Sequence, residues 1–107
     1  MGSEMCIRDR YTGVHQSNPP TTAINAGSDT TPTVNIATQT GDMVIDCVTK
    51  ITGSETAGQT LRYAVDNSGG NTDGGGQTAA GTGGTVTMSW TISSQAWSIG
   101  ALCLPHQ

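Results

Sequence analysis

The sequence predicts an all-β fold, an antiparallel β-sandwich or jelly-roll-like sheet, and three observations predict it. Of its 107 residues 34% are hydrophobic and 11% charged, with 15 glycines and no Phe; Thr, Val, Ile and Gly outweigh the strong helix formers, and these are the residues that strands and their turns use. Residues 85–92 alternate apolar and polar without a break, and no helical period fits them. Clusters of Gly, Asn, Asp, Ser and Pro separate the alternating runs, as turns require. Eight acidic residues against four basic ones give a net charge of −4, so the electrostatic footprint of a phosphate-backbone binder is missing and no nucleic-acid partner is expected. No apolar run approaches the ~18 residues that span a bilayer, and no charged start followed by an apolar stretch marks a secretion signal, so no membrane partner is expected either.

The elements follow in order. Residues 1–10 stand apart, because the composition changes abruptly at Tyr11. The segment resembles the conceptual translation of a transposase-end sequencing adapter with its adjoining primer. The expected division is therefore an adapter-derived or disordered tail over 1–10 and one partial β-sandwich domain over 11–107. On this expectation the insert starts at a fragmentation point and the native chain extends upstream of Tyr11. Segment 14–32, which contains Ser17, Asn18, Pro19, Pro20, Gly27 and Asp29, is expected to be an extended loop. Val34 and Ile36 alternate with Thr33 and Asn35 in a half-buried strand. Met43 to Lys50 forms the next strand, with Met43, Ile45 and Cys47 on the expected core face and Val44, Asp46, Val48 and Lys50 opposite. Gln59 to Val65 is a third, grouping Leu61, Tyr63 and Val65.

The Gly-rich run 66–84 has no apolar periodicity and is expected to be a mobile loop, with room for a short strand near Gln77–Ala79. Thr85–Ile92 turns Val86, Met88, Trp90 and Ile92 to the core. After the short connection Ser93-Ser94-Gln95, Trp97, Ile99, Ala101 and Cys103 alternate inward, and the two runs are expected to pair as a β-hairpin. Leu102 and Leu104 on the second face suggest cover on both sides there. These five strands make a thin core at about 25 cal/mol per Å². Missing upstream strands would account for the deficit, and the sheet edges they leave unpaired would favour self-association.

Several motifs carry a resemblance in their order and spacing: Tyr11-Thr12-Gly13-Val14-His15-Gln16, Asp42-Met43-Val44-Ile45-Asp46, Gly58-Gln59-Thr60-Leu61-Arg62-Tyr63, Thr85-Val86-Thr87-Met88-Ser89-Trp90-Thr91 and Ala96-Trp97-Ser98-Ile99-Gly100-Ala101. Over residues 11–104 the chain resembles the C-terminal half of a family of Thr/Gly-rich β-sandwich modules of phage tail, fibre and other surface proteins from environmental sequence. The resemblance implies a structural or host-recognition module on a virion or cell surface, with further strands before Tyr11 and no catalytic residues to carry over. His15 stands where the family usually has Asp, and Cys47 and Cys103 where it has small apolar residues.

The candidate chemistry is thin. Cys6 lies in the tail, and Cys47 and Cys103 have neither a second Cys nor a His at metal-ligand spacing. Both fall on expected core faces, so a disulfide is geometrically open, and reduced thiols acting as small hydrophobes fit better. Asp66, Asn67, Asn71 and Asp73 offer oxygen ligands on a Gly-rich loop, the donor set of a calcium site, but without EF-hand spacing; a solvated loop tip is the ordinary alternative. Gly74-Gly75-Gly76 lacks the Lys of a phosphate loop. Asp46 and Glu55 are the carboxylates a glycosidase pair would need, with no bulk to form a cleft, and Asp46 reads as a solvated charge. His15 and His106 have no nucleophile elbow to serve. Trp90 and Trp97 are the residues a carbohydrate-binding module would use, yet their apolar neighbours in the alternation favour core. The row Thr85, Thr87, Ser89 and Thr91 reads as an exposed sheet face. The expectation is a non-enzymatic structural or surface-recognition module without cofactor, the alternative a carbohydrate-binding module. Expected partners are other domains of a longer parent, further copies of the chain, or a glycan.

Overall fold

The computed structural model describes residues 10–65 and 73–107. Its strands are β1 (Thr21–Asp29), β2 (Thr33–Ala37), β3 (Met43–Lys50), β4 (Thr56–Ala57), β5 (Thr60–Val65), β6 (Asp73–Ala80), β7 (Thr85–Thr91) and β8 (Gln95–Leu104). They build a five-stranded sheet in the order β1-β8-β3-β6-β5 and a three-stranded sheet in the order β2-β7-β4, with every pairing antiparallel. The all-β sandwich expected from the alternation is the architecture found.

One core joins the two sheets. Val44 and Val48 of β3 and Trp97, Ile99, Ala101 and Cys103 of β8 meet Val34 and Ile36 of β2 and Val86, Met88 and Trp90 of β7, with Ile92 just beyond. The inward sets of β7 and β8 are those the two-residue period selects, and Trp90 and Trp97 are core residues, 1% and 7% exposed. Thr85, Thr87 and Thr91 lie exposed on the other face of β7, where Thr87 donates to Asn35 Oδ1 across the strand pair at 2.6 Å.

Several expectations are corrected. β7 and β8 are not a hairpin: they belong to opposite sheets, and the 92–94 connection carries the chain across the core. Alternation tells which face of a strand is buried, not which strand lies beside it. The 14–32 segment is not all loop, because 21–29 forms the nine-residue β1 along the edge of the larger sheet. An edge strand with solvent on most of its surface needs no apolar period. Gly27 allows its approach, for a Cβ there would lie 2.7 Å from Trp97 Cζ2.

Of the Gly-rich run, 66–72 lie outside the described residues, and the short strand expected near Gln77–Ala79 is found but is longer. Residues 73–80 form β6, in the interior of the sheet between β3 and β5. Its glycines carry no side chains of their own, and aromatic rings from elsewhere cover Gly75 and Gly76. A Cβ on Gly75 would meet Trp90 Cη2 at 2.8 Å, and one on Gly76 would meet Tyr63 Cζ at 2.8 Å. The usual loss of packing at strand glycines is thereby offset.

The faces of β3 are the reverse of those expected: Val44, Asp46, Val48 and Lys50 point inward, while Cys47 is exposed. Register decides this, since Val44 lies opposite Cys103 and Val48 opposite Ile99, both committed to the core by β8. Leu61 does not share a face with Tyr63 and Val65, because a bulge between Leu61 and Tyr63 shifts the register. Leu61 is 52% exposed. Leu102 and Leu104 are half-buried on the outer face of β8.

Candidate functional site

The outer face of the five-stranded sheet carries a groove of about 480 Å³. Strand pairing aligns its floor: Ile45 lies opposite both Leu102 and Thr78, and Cys47 opposite both Gly100 and Gly76. Two glycines flanking Cys47 in one row lower the surface there, while Ile24, opposite Gly100 on β1, and Tyr63, opposite Gly76 on β5, stand up as its walls. Ile24 is 86% exposed. Tyr63 lies over Gly76 with its hydroxyl 3.1 Å from Cys47 Sγ. Arg62 donates from Nε to Thr78 Oγ1 at 2.9 Å, which holds its guanidinium along the rim, and Tyr11 also lines the groove. The rest of the lining is mainly apolar, with Thr22 among its polar residues. Arg62 and the buried Lys50 are the two basic side chains from Tyr11 onward, so the groove holds the accessible one.

Three polar clusters lie in or at the edge of the core. Asp46 is buried and accepts from Gln77 Nε2 at 2.7 Å and from Trp90 Nε1 at 3.2 Å. Gln77 Nε2 also donates to the Ser89 carbonyl, while Gln77 Oε1 accepts from the Gln59 amide and Gln59 Oε1 from the Ser89 amide. This network sews β6 of one sheet to β7 of the other. Burial pushes the Asp46 carboxyl up to about 6, against the opposing pull of the Gln77 and Trp90 hydrogen bonds. Asp46 is thus not the solvated charge its alternation suggested.

The second cluster surrounds Lys50. Its ammonium lies 3.3 Å from Glu55 Oε2 and 3.6 Å from Asp73 Oδ2, all three side chains almost wholly removed from water, and it donates to the carbonyls of Thr52 and Gly53. A buried ammonium ringed by carboxylates and carbonyls is the arrangement that keeps a buried charge tolerable. Glu55 and Asp46 therefore do not face each other across a cleft as a glycosidase pair would. Asp73 is a core ion-pair residue, whereas Asp66, Asn67 and Asn71 lie outside the described residues. Among the described residues no group of three or more His, Cys, Asp and Glu side chains could hold a metal ion.

The third cluster fastens the C-terminus. Asp42 accepts from the His106 amide at 3.1 Å, bonds His106 Nδ1 at 2.7 Å and accepts from the Gln39 amide and Cys103 Sγ. The His106 side chain and the Gln39 amide hold its carboxyl well below the usual carboxylate range. Cys, Asp and His thus meet, but in the wrong order for nucleophilic catalysis: the carboxylate sits between thiol and imidazole. Burial first, and then Asp42, push the Cys103 thiol up to about 11, away from the reactive thiolate. His15 is elsewhere, its Nδ1 accepting from the amides of Ser17 and Asn18 in a turn.

Cys47 and Cys103 are both free thiols, on opposite faces of the sheet. Trp90 and Trp97 present no open ring face for a sugar; Trp97 Nε1 is bonded to Asp29 Oδ1 at 2.9 Å. The sequence does not disclose the groove, because its walls come from β1 and β5 and its floor includes two glycines. The one available signal was Ile45 and Cys47 alternating opposite Val44 and Val48, which marks β3 as apolar on both faces. No protein-family model, curated protein or solved structure matches the chain.

Proposed function

We propose that this chain is a non-catalytic structural or surface-recognition module of a phage appendage or extracellular surface protein, working through the outer face of its five-stranded sheet. The observation that carries this reading is the groove: an open, mainly apolar trough on the sheet, lined as well by Tyr11, Tyr63 and Arg62. Contact sites of this composition bind by shape and burial, with a few polar groups fixing orientation. The ionisable clusters support it as well, since Asp46, Lys50, Glu55, Asp73 and Asp42 are engaged in holding strands and the C-terminus together.

A carbohydrate-binding module is the second reading, favoured by the tyrosines and arginine at the groove rather than by the buried indoles; tyrosine rings stack on sugar faces and guanidinium groups bond their hydroxyls. An isotope-labelled sample titrated with a panel of oligosaccharides and with bacterial envelope fragments tests both. Recognition through this face shifts the resonances of Ile24, Ile45, Tyr63 and Leu102, and Tyr63→Ala abolishes the shifts while the fold persists. Oligosaccharide binding in that pattern selects the second reading. Envelope binding that leaves those four residues unmoved overturns the assignment of the face.

A further inference from the structure

The four sheet edges are not alike. β4 is two residues long and β2 five, too short to template another chain; β5 carries Arg62 and is broken by its bulge. Short length, bulges and charge are the devices by which sheets keep their edges from pairing. β1 is neither short nor bulged, and its single charge, Asp29, sits at its C-terminal end. It runs nine residues in unbroken register with β8, and its sequence Thr-Thr-Ala-Ile-Asn-Ala-Gly-Ser-Asp contains no Lys, Arg or Pro. Along ~30 Å its outward backbone groups face away from the sheet. Beside them Ile24 is the most exposed large apolar side chain among the described residues.

We infer that β1 pairs antiparallel with β1 of a second copy of this chain, joining two five-stranded sheets into one of ten strands. The strand is self-complementary in that arrangement. With the twofold axis at Asn25, residues that share a face stay together: Ile24 lies opposite Ala26 of the second copy and diagonal to its Ile24, and the only charge on the strand, Asp29, lies opposite Thr21. In a parallel pairing the two Asp29 carboxylates would sit side by side, which like charges disfavour. Asp29 is also occupied, accepting from the Thr31 amide and from Trp97 Nε1, which hold its carboxyl below the usual range. The two Ile24 side chains, each the wall of a groove, would become a shared ridge between two grooves. A recognition module would then present paired sites, with avidity as the consequence.

Sedimentation velocity across a wide concentration range, combined with amide exchange, tests this. The expected result is a reversible dimer in which alternate β1 amides gain protection as concentration rises. Ile24→Lys should weaken the dimer at least about tenfold by removing apolar contact and opposing two like charges; the side chain is so exposed that folding should not suffer, as circular dichroism would verify. Tyr63→Ala and Leu61→Lys, which alter the groove and the opposite edge, should leave the dimer intact. A monomer at every concentration overturns the inference. So does a dimer that tolerates Ile24→Lys, that either control disrupts, or that leaves β1 amides unprotected.

Discussion

The buried carboxyl of Asp46 makes stability fall as pH rises, a direction opposite to that of most protein carboxylates. Its folded value of about 6 against an ordinary 3.8 means that the folded chain binds this proton more tightly than the unfolded chain does. Stability from this group is fully present below the unfolded value and is lost as pH climbs through the folded one. At ~1.4 kcal/mol per tenfold change in proton affinity the full effect is on the order of 3 kcal/mol, of which about 2 kcal/mol falls between about pH 4.5 and 7. Against the 5–15 kcal/mol typical of a small domain, roughly, that is readily measured. Urea unfolding followed by tryptophan fluorescence, repeated across that pH interval, reads it directly. Asp42 and Asp29 work in the other direction, but their folded values lie below 3.8, so their contribution is lost only at more acidic pH. Asp46→Asn should flatten the wild-type slope. Wild-type stability that is level or rising over this interval, or a slope that survives in Asp46→Asn, would show that burial does not raise this carboxyl.

Two further outcomes follow from the packing. Gly75→Ala puts a methyl 2.8 Å from Trp90 Cη2 and 3.0 Å from the Tyr63 carbonyl, so it should lower the urea midpoint by the equivalent of about 1–3 kcal/mol, whereas alanine at the open Gly84 should avoid that clash. Thiol labelling of the native chain at mildly alkaline pH should modify the exposed Cys47 and spare Cys103, whose thiol is held near 11; equal rates at both would show that the Asp42 corner does not close.

What the sequence revealed and what it concealed have one physical cause. β7 and β8 are legible because each has one face in the core and one outside it, so Val86-Met88-Trp90 and Trp97-Ile99-Ala101-Cys103 announce themselves. β3 is apolar on both faces, register against β8 sets its orientation, and Asp46 and Lys50 are buried with partners no local pattern can supply. β6 looks like loop because its packing is provided by Trp90 and Tyr63, distant in sequence. β1 is nearly all exposed and owes its strand form to β8. The groove inherits these difficulties, being walled by β1 and β5 and floored by glycines. Asp73, weighed as a calcium ligand, proves to be a counter-ion of Lys50, a role that depends on β3 and β6 lying side by side.

Everything assigned to the outer sheet face depends on the Gly-rich segment being an interior strand. Native-state hydrogen exchange of the Gly74, Gly75 and Gly76 amides measures that most directly. Those that pair within the sheet should exchange as slowly as the amides of β3 and β8, through opening of the whole domain. Exchange of all three at the rate of an unstructured glycine peptide would contradict the account, since the groove would then have no floor and Tyr63 nothing to rest on.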